Sequence, residues 1–308
     1  MKDISVNIIT NYNSYKYNSL KYYLKIFKDL KTTYHGHYAV TRSLIQGFER
    51  NNFKFSYNNF RDNFDICWVL SDKISLKHVI NLNKYKKLLA GPNISVLPTD
   101  DDKILMNKKI DLIIVPSAWV SNLYKNFTNK KISVWYAGVN ENFWKPKINH
   151  NNRKSILIYY KHKNQSLLNK IINFLQNNNL TFEILKYGEY KINEYKKKLL
   201  NSRFAIFITN TESQGIALCE AWSMDVPTFV WNDKNDSENK FIKYGFTSNA
   251  PYLNLETGSE FKNFDELTSL INNSNKNQIK FSPRKWVLEN MTDKICAKNA
   301  IGLLKSLS

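Results

Sequence analysis

The chain has 308 residues, 43% of them hydrophobic and 14% aromatic, which suits two domains with real cores better than one. Its 45 Lys and Arg against 26 Asp and Glu give a formal charge of +19, and no apolar run nears the ~20 residues of a membrane-spanning helix. Three scattered cysteines, Cys67, Cys219 and Cys296, show no metal spacing and are expected as reduced core residues.

The first ten residues lack the layout of an export signal, so the expected location is the cytoplasm. A basic surface attracts nucleic acid, anionic headgroups or acidic polysaccharide. Here the excess is mostly Lys, while Arg, the preferred reader of bases and phosphates, is scarce. Abundant Asn, Ile and Tyr fit the codon bias of an AT-rich genome. Peripheral association with an anionic membrane therefore stays open, and nucleic acid is the weaker partner.

In chain order, Ser5 to Thr10 reads as a buried strand. Residues 11–34 are polar, with a short helix expected from Leu20 to Leu30. His35-Gly36-His37 precedes a helical pattern through Val40, Leu44, Ile45 and Phe48 that ends near Arg50. Strands follow at Phe53 to Tyr57, Asp65 to Leu70, Lys87 to Asn93, Asp111 to Ser117 and Ile132 to Tyr136. A helix to about Phe127 follows Ser117, its expected N-cap. Asp100-Asp101-Asp102 reads as solvated loop acid and not as a metal site.

After Ala137 to Pro146 comes a polar linker, residues 147–154, and the pattern restarts. Ser155 to Tyr160 is a strand, Leu167 to Gln176 a helix, Phe182 to Leu185 a strand and Ile192 to Leu200 a helix. Arg203 to Thr209 and Val226 to Trp231 are strands flanking a helix. Residues 245–260 read as loop, Asn272 to Asn277 as a low-complexity loop, and a last helical stretch begins near Pro283. Alternating strands and helices imply parallel sheets covered on both faces.

The most informative stretch is Thr209-Asn-Thr-Glu212-Ser-Gln-Gly215-Ile216-Ala217-Leu-Cys-Glu220. Gly215 allows close backbone approach to a ligand, and the amides of Gly215, Ile216 and Ala217 open a helix in a way that suits phosphate. Glu220 leans back toward the helix start and the neighbourhood of Glu212. A carboxylate accepts two hydrogen bonds, matching vicinal sugar hydroxyls.

This stretch resembles the E-x7-E motif of nucleotide-sugar glycosyltransferases with the GT-B fold, above all the retaining family four. Ala137 to Pro146 is similar to the Gly-Val-Asp-x-x-x-Phe-x-Pro segment that ends the first domain in many of them. The resemblance implies an α/β architecture of two Rossmann-like parallel-sheet domains facing across a cleft. Residues 1–146 would form the acceptor-side domain and 147–285 the nucleotide-sugar domain, with a C-terminal helix over ~286–308 returning to the first. Trp286 and Ile295 are then expected to bury against the first domain.

The resemblance also assigns roles. Glu212 would contact the transferred sugar and Glu220 the ribose. Lys161 and Lys163 would hold the donor diphosphate, although the family pattern has an Arg and a wider spacing. Gly188, after Tyr187, would bring backbone to the nucleobase. Gly36 would stand for the family's Gly-rich loop, with His37 as a proton shuttle. Asn93, at a strand end, is a candidate contact for acceptor or donor sugar. No cofactor or metal is expected beyond a nucleotide-sugar donor, UDP- or GDP-linked. The acceptor would be a glycan, a lipid-linked or a small-molecule hydroxyl. Two alternatives remain: a DNA-modifying glucosyltransferase, favoured by the charge, and a non-catalytic GT-B-like binding protein.

Overall fold

The computed structural model describes residues 4–10, 36–148, 152–161, 164–232, 241, 244–245, 247–276, 278 and 280–307. The helix expected over Leu20 to Leu30 and part of the 147–154 linker lie outside them. Of the described residues, one compact unit takes those up to Gly138 and from Asp293 onward; the other takes Val139 to Thr292.

Unit 1 is a six-stranded parallel sheet. Its strands are β1 (Val6–Ile9), β2 (Ser56–Tyr57), β3 (Phe64–Ser71), β4 (Tyr85–Asn93), β5 (Leu112–Val115) and β6 (Ile132–Val134), in the order β2-β1-β3-β4-β5-β6. Helices α1 (Gly36–Arg50), α2 (Lys73–Leu82) and α3 (Ala118–Lys125) and a 3-10 turn at Asp101–Met106 connect them. The central strands carry near-continuous apolar runs, as both faces of a parallel sheet are covered. The sequence pattern missed α2, whose N-cap Asp72 accepts hydrogen bonds from Ile74 N and Ser75 N at 3.2 and 2.9 Å.

Unit 2 is a five-stranded parallel sheet of β7 (Ser155–Tyr160), β8 (Phe182–Lys186), β9 (Ser202–Ile208), β10 (Thr228–Trp231) and β11 (Gly258–Phe261), in the order β11-β10-β9-β7-β8. Its helices are α4 (Gln165–Asn177), α5 (Ile192–Asn201), α6 (Ile216–Ser223), α7 (Phe264–Asn275) and α8 (Pro283–Asn290). Residues read as loop supply most of β11 and the last turn of α7. β11 is an edge strand with a Gly and a Glu in four residues, so it carries little strand signal. Helix α7 takes in part of the Asn-rich run, capped by Asn263, which accepts from Glu266 N at 2.9 Å.

The final helical stretch is two helices in two units. Trp286 on α8 stays in unit 2, edge-on to Trp222 with ring centroids 5.7 Å apart. Burial against the first domain was expected of it; the packing described for its ring is within unit 2. The returning element is α9 (Asp293–Lys305), which lies on α1. It buries Cys296, Ala297, Ala300 and Leu304, while Ile295 is half-buried. Gly47 permits the close helix approach, since a Cβ there would overlap the Asp293 carbonyl and the Ala297 Cβ. Arg42 pairs with the fully buried Asp293 at 2.7 Å, and Trp135 Nε1 donates to Cys296 O at 2.9 Å. All three cysteines are buried and form no disulfide.

Removing one partner of a buried ion pair leaves an uncompensated charge. Asp293→Ala is therefore predicted to cost unit 1 about 3–5 kcal/mol in urea unfolding. A chain ending at residue 292 should be destabilised further or insoluble, because the apolar face of α1 is uncovered. A soluble truncation with unchanged unfolding would show that α9 is dispensable.

Candidate active site

In an open parallel sheet, ligands bind beyond the C-terminal strand ends where the strand order reverses. In unit 2 that point lies between β7 and β9, which pair with Tyr160 opposite Ile208. The chain leaves β7 toward β8 on one side and returns through β9 toward β10 on the other. Lys161 is the first residue after β7, and its N–H donates to Ile208 O at 2.9 Å. Glu212 stands four positions past β9. The Lys161 ammonium bonds Glu212 Oε1 at 2.7 Å, the side chains being 29% and 18% exposed. The same ammonium lies 4.5 Å from the centroid of the Tyr187 ring, itself 50% exposed.

The Glu212 loop is fixed from its backbone. Glu212 N–H donates to Ser248 O at 2.8 Å, and the Thr211 and Thr247 hydroxyls bond at 2.6 Å. Asn249, buried, donates to Thr209 O and Trp231 O at 3.1 and 2.6 Å, tying together the ends of β9 and β10. Gly215 then caps α6 at φ +78, the left-handed region, where a Cβ would also sit 2.9 Å from Leu218 Cδ1. The first-turn amides of α6 have no intrahelical acceptor and carry the positive end of the helix dipole. Tyr195 Oη donates to Ala217 O at 2.6 Å and holds that turn.

Glu220 is 2% exposed on α6. Both Glu212 and Glu220 act on the Tyr190 phenol and the Cys219 thiol, pushing each up further than burial alone does. Both acids are therefore within electrostatic reach of the same phenol and thiol. The buried Tyr159 and Tyr190 hydroxyls bond at 3.0 Å. Burial raises the Glu212 carboxyl above its ordinary range, and Lys161 opposes that rise.

Glu212 and Lys161 thus meet in unit 2, and Gly215, Ile216, Ala217 and Glu220 follow Glu212 at the start and on the body of α6. Gly188 turns at φ +84 just after β8, with open space around it. Lys163 lies outside the described residues. Gly36 and His37 fall in the first turn of α1, in unit 1, so Gly36 begins a helix where a loop was expected. Asp101 and Asp102 are ion-paired with Lys73 and Lys77 at 2.8 and 2.9 Å. Among the described residues no group of three His, Cys, Asp or Glu is placed to hold a metal.

Ser117 takes the N-cap position of α3 but makes no capping bond through its side chain. Its Oγ and Asn93 Nδ2, at the ends of adjacent strands β5 and β4, are buried without hydrogen-bond partners. Thr209 Oγ1 and Asn210 Oδ1 are buried and unpartnered in the same way just past β9. Thr209, Asn210, Tyr187 and Asn249 were not singled out from the sequence. Position was the available signal, since three of them sit within two residues of a strand's C-terminal end.

No family description and no curated protein matches the sequence. By structure, the chain is similar to the lipopolysaccharide outer core galactosyltransferase WaaB, with a TM-score of 0.59 and 11% identity over 98% of this chain and 99% of that one. Sucrose-phosphate synthase from Thermosynechococcus elongatus gives 0.54 at 10% identity, covering 99% of each chain. Anabaena HepE, in complex with UDP-glucose, gives 0.54 at 9% identity over 98% of this chain and 100% of that one. At this identity the likeness is one of fold: two Rossmann-like units, as in GT-B glycosyltransferases.

A carboxyl whose pKa rises on folding holds its proton more tightly in the native state. It contributes stability below the unfolded value, and loses that contribution as pH rises through the folded one. At neutral pH the ionised Glu212 is therefore a net cost. Glu212→Gln is predicted to raise Tm at pH 7, with the gain fading as pH falls through the raised folded value and gone below about 4. No gain, or a gain that grows on acidification, would overturn this reading.

Proposed function

We propose that this protein transfers a sugar from a nucleotide-diphosphate donor to an acceptor hydroxyl, with retention at the anomeric carbon and without a metal ion. The observation that carries the proposal is the Lys161–Glu212 pair beside the Gly215 helix start at the strand-order reversal. As the bond from the anomeric carbon to the phosphate oxygen breaks, negative charge grows on the leaving diphosphate. The Lys161 ammonium and the amides of Ile216 and Ala217 stabilise it there. Lys163 shares that task in this reading. The acceptor oxygen bonds to the anomeric carbon on the same face, and its proton passes to the leaving phosphate, so no strong protein base is required. His37 stands as the alternative shuttle.

Glu220 takes the ribose hydroxyls and Glu212 those of the transferred sugar, so both orient the donor. Gly188 leaves room for the nucleobase. The HepE complex with UDP-glucose supports a UDP-linked donor, with GDP as the other choice. WaaB, named as a lipopolysaccharide galactosyltransferase, supports a glycan or lipid-linked acceptor over a small molecule. No helix among the described residues is long and apolar enough to cross a membrane, and the +19 charge supports peripheral contact with anionic lipid. The same charge favours a second reading, a DNA-modifying glucosyltransferase, whose mark would be steeply salt-dependent duplex binding.

A thermal-shift panel of UDP-, GDP-, ADP- and CMP-linked sugars tests the proposal, followed by turnover with and without EDTA. One donor should raise Tm, and its turnover should survive the chelator; a flat panel overturns the reading. Glu220→Ala should weaken nucleotide binding by about 1–3 kcal/mol. Glu212→Gln should chiefly lower kcat, with little change in inhibition by free nucleotide. The reverse pattern would exchange the two acids.

A further inference from the structure

Lys161 is held from three directions. Its backbone is tied to Ile208 O, its ammonium to Glu212 Oε1, and the Tyr187 ring covers a further side. An ammonium that only waited for phosphate would not need the carboxylate. A carboxylate reading hydroxyls needs to be charged and held in one orientation, and Glu212 is largely withdrawn from water.

Resting on the proposed function, we infer that Lys161 is the positioning residue of Glu212: its ammonium keeps that carboxylate ionised and turned to the reversal point of the sheet. The two remaining N–H groups of the ammonium stay available to the diphosphate. One residue thus joins the two halves of the donor. The register of β7 on β9 enforces this, since it places the first residue after one strand beside the loop after the other.

Among the described residues, the Lys161 ammonium faces the Glu212 carboxylate and opposes the effect of burial on it. Tyr159 from β7, Tyr190 from the segment before α5, and Cys219 from α6 lie within the electrostatic reach of Glu212 as neutral groups. Desolvation favours the protonated acid, and the Lys161 ammonium opposes it.

The test is carboxyl titration by 13C NMR on protein labelled at glutamate, with the Glu212 signal assigned by its loss in Glu212→Gln. The signal should titrate at higher pH in Lys161→Met than in the parent and stay at the parent value in Lys161→Arg. An unmoved midpoint in Lys161→Met, in protein whose thermal melt shows it folded, overturns the inference. If Lys161→Met does not fold, Lys161→Gln replaces it and is read the same way. A second measurement is a double-variant cycle on turnover of the donor selected by the panel. Lys161→Met and Glu212→Gln should be non-additive, the double variant losing little beyond the worse single one. Losses that multiply would mean that Lys161 serves phosphate alone. The NMR result does not depend on any donor, so its failure is separate from a failure of the proposed function.

Discussion

The structure of the site depends on one parallel pairing, that of β7 with β9. With Tyr160 opposite Ile208, the residues that leave the two strands emerge side by side and the chain diverges from there. A shift of one residue would turn every side chain of β9 to the other face and carry Glu212 away from Lys161. The apolar faces hold that register. Ile156, Ile158, Phe204, Ile206 and Ile208 are buried on one side of the sheet. On the other, Tyr159 and Phe207 stack at 4.7 Å, and Tyr195 packs on Tyr159.

Several groups at this point are held at a cost. Burial raises the Glu212 carboxyl, Glu220 is almost wholly enclosed, and both acids push up the same phenol and thiol. Gly215 occupies a left-handed conformation that other residues adopt only with strain. The Thr209 and Asn210 side chains each bury an unpartnered polar oxygen. Costs of this kind gathered at strand ends fit the candidate site, since a core that served stability alone would satisfy its polar groups.

Unit 1 shows a milder version of the same arrangement. Tyr57, Thr10, Ser71, Asn93 and Ser117 each stand at or just past the end of a neighbouring strand. The first three satisfy one another: the Tyr57 and Thr10 hydroxyls bond at 2.7 Å, and Ser71 Oγ donates to Thr10 O at 3.0 Å. Asn93 and Ser117 keep unpartnered atoms. The stability of this unit relies on a helix from the far end of the chain, with Asp293 buried against Arg42 and Gly47 giving α9 its room on α1.

The sequence by itself determined the alternation of strands and helices and the local build of the motif. Apolar runs of four to eight residues mark strands buried on both faces, and Gly215 between two spaced acids marks a helix start, because these signals are written in consecutive residues. The boundaries of α2, β11 and α7 were not legible. Asp72 and Asn263 cap their helices through contacts that composition does not display, and the edge strand β11 gains its place from β10. The pairing of Lys161 with Glu212, 51 residues apart, was decided by tertiary structure alone. So was the division of the last helical stretch, where Trp286 goes to Trp222 and Asp293 to Arg42. Periodicity says which face of a segment is buried; only packing says against what.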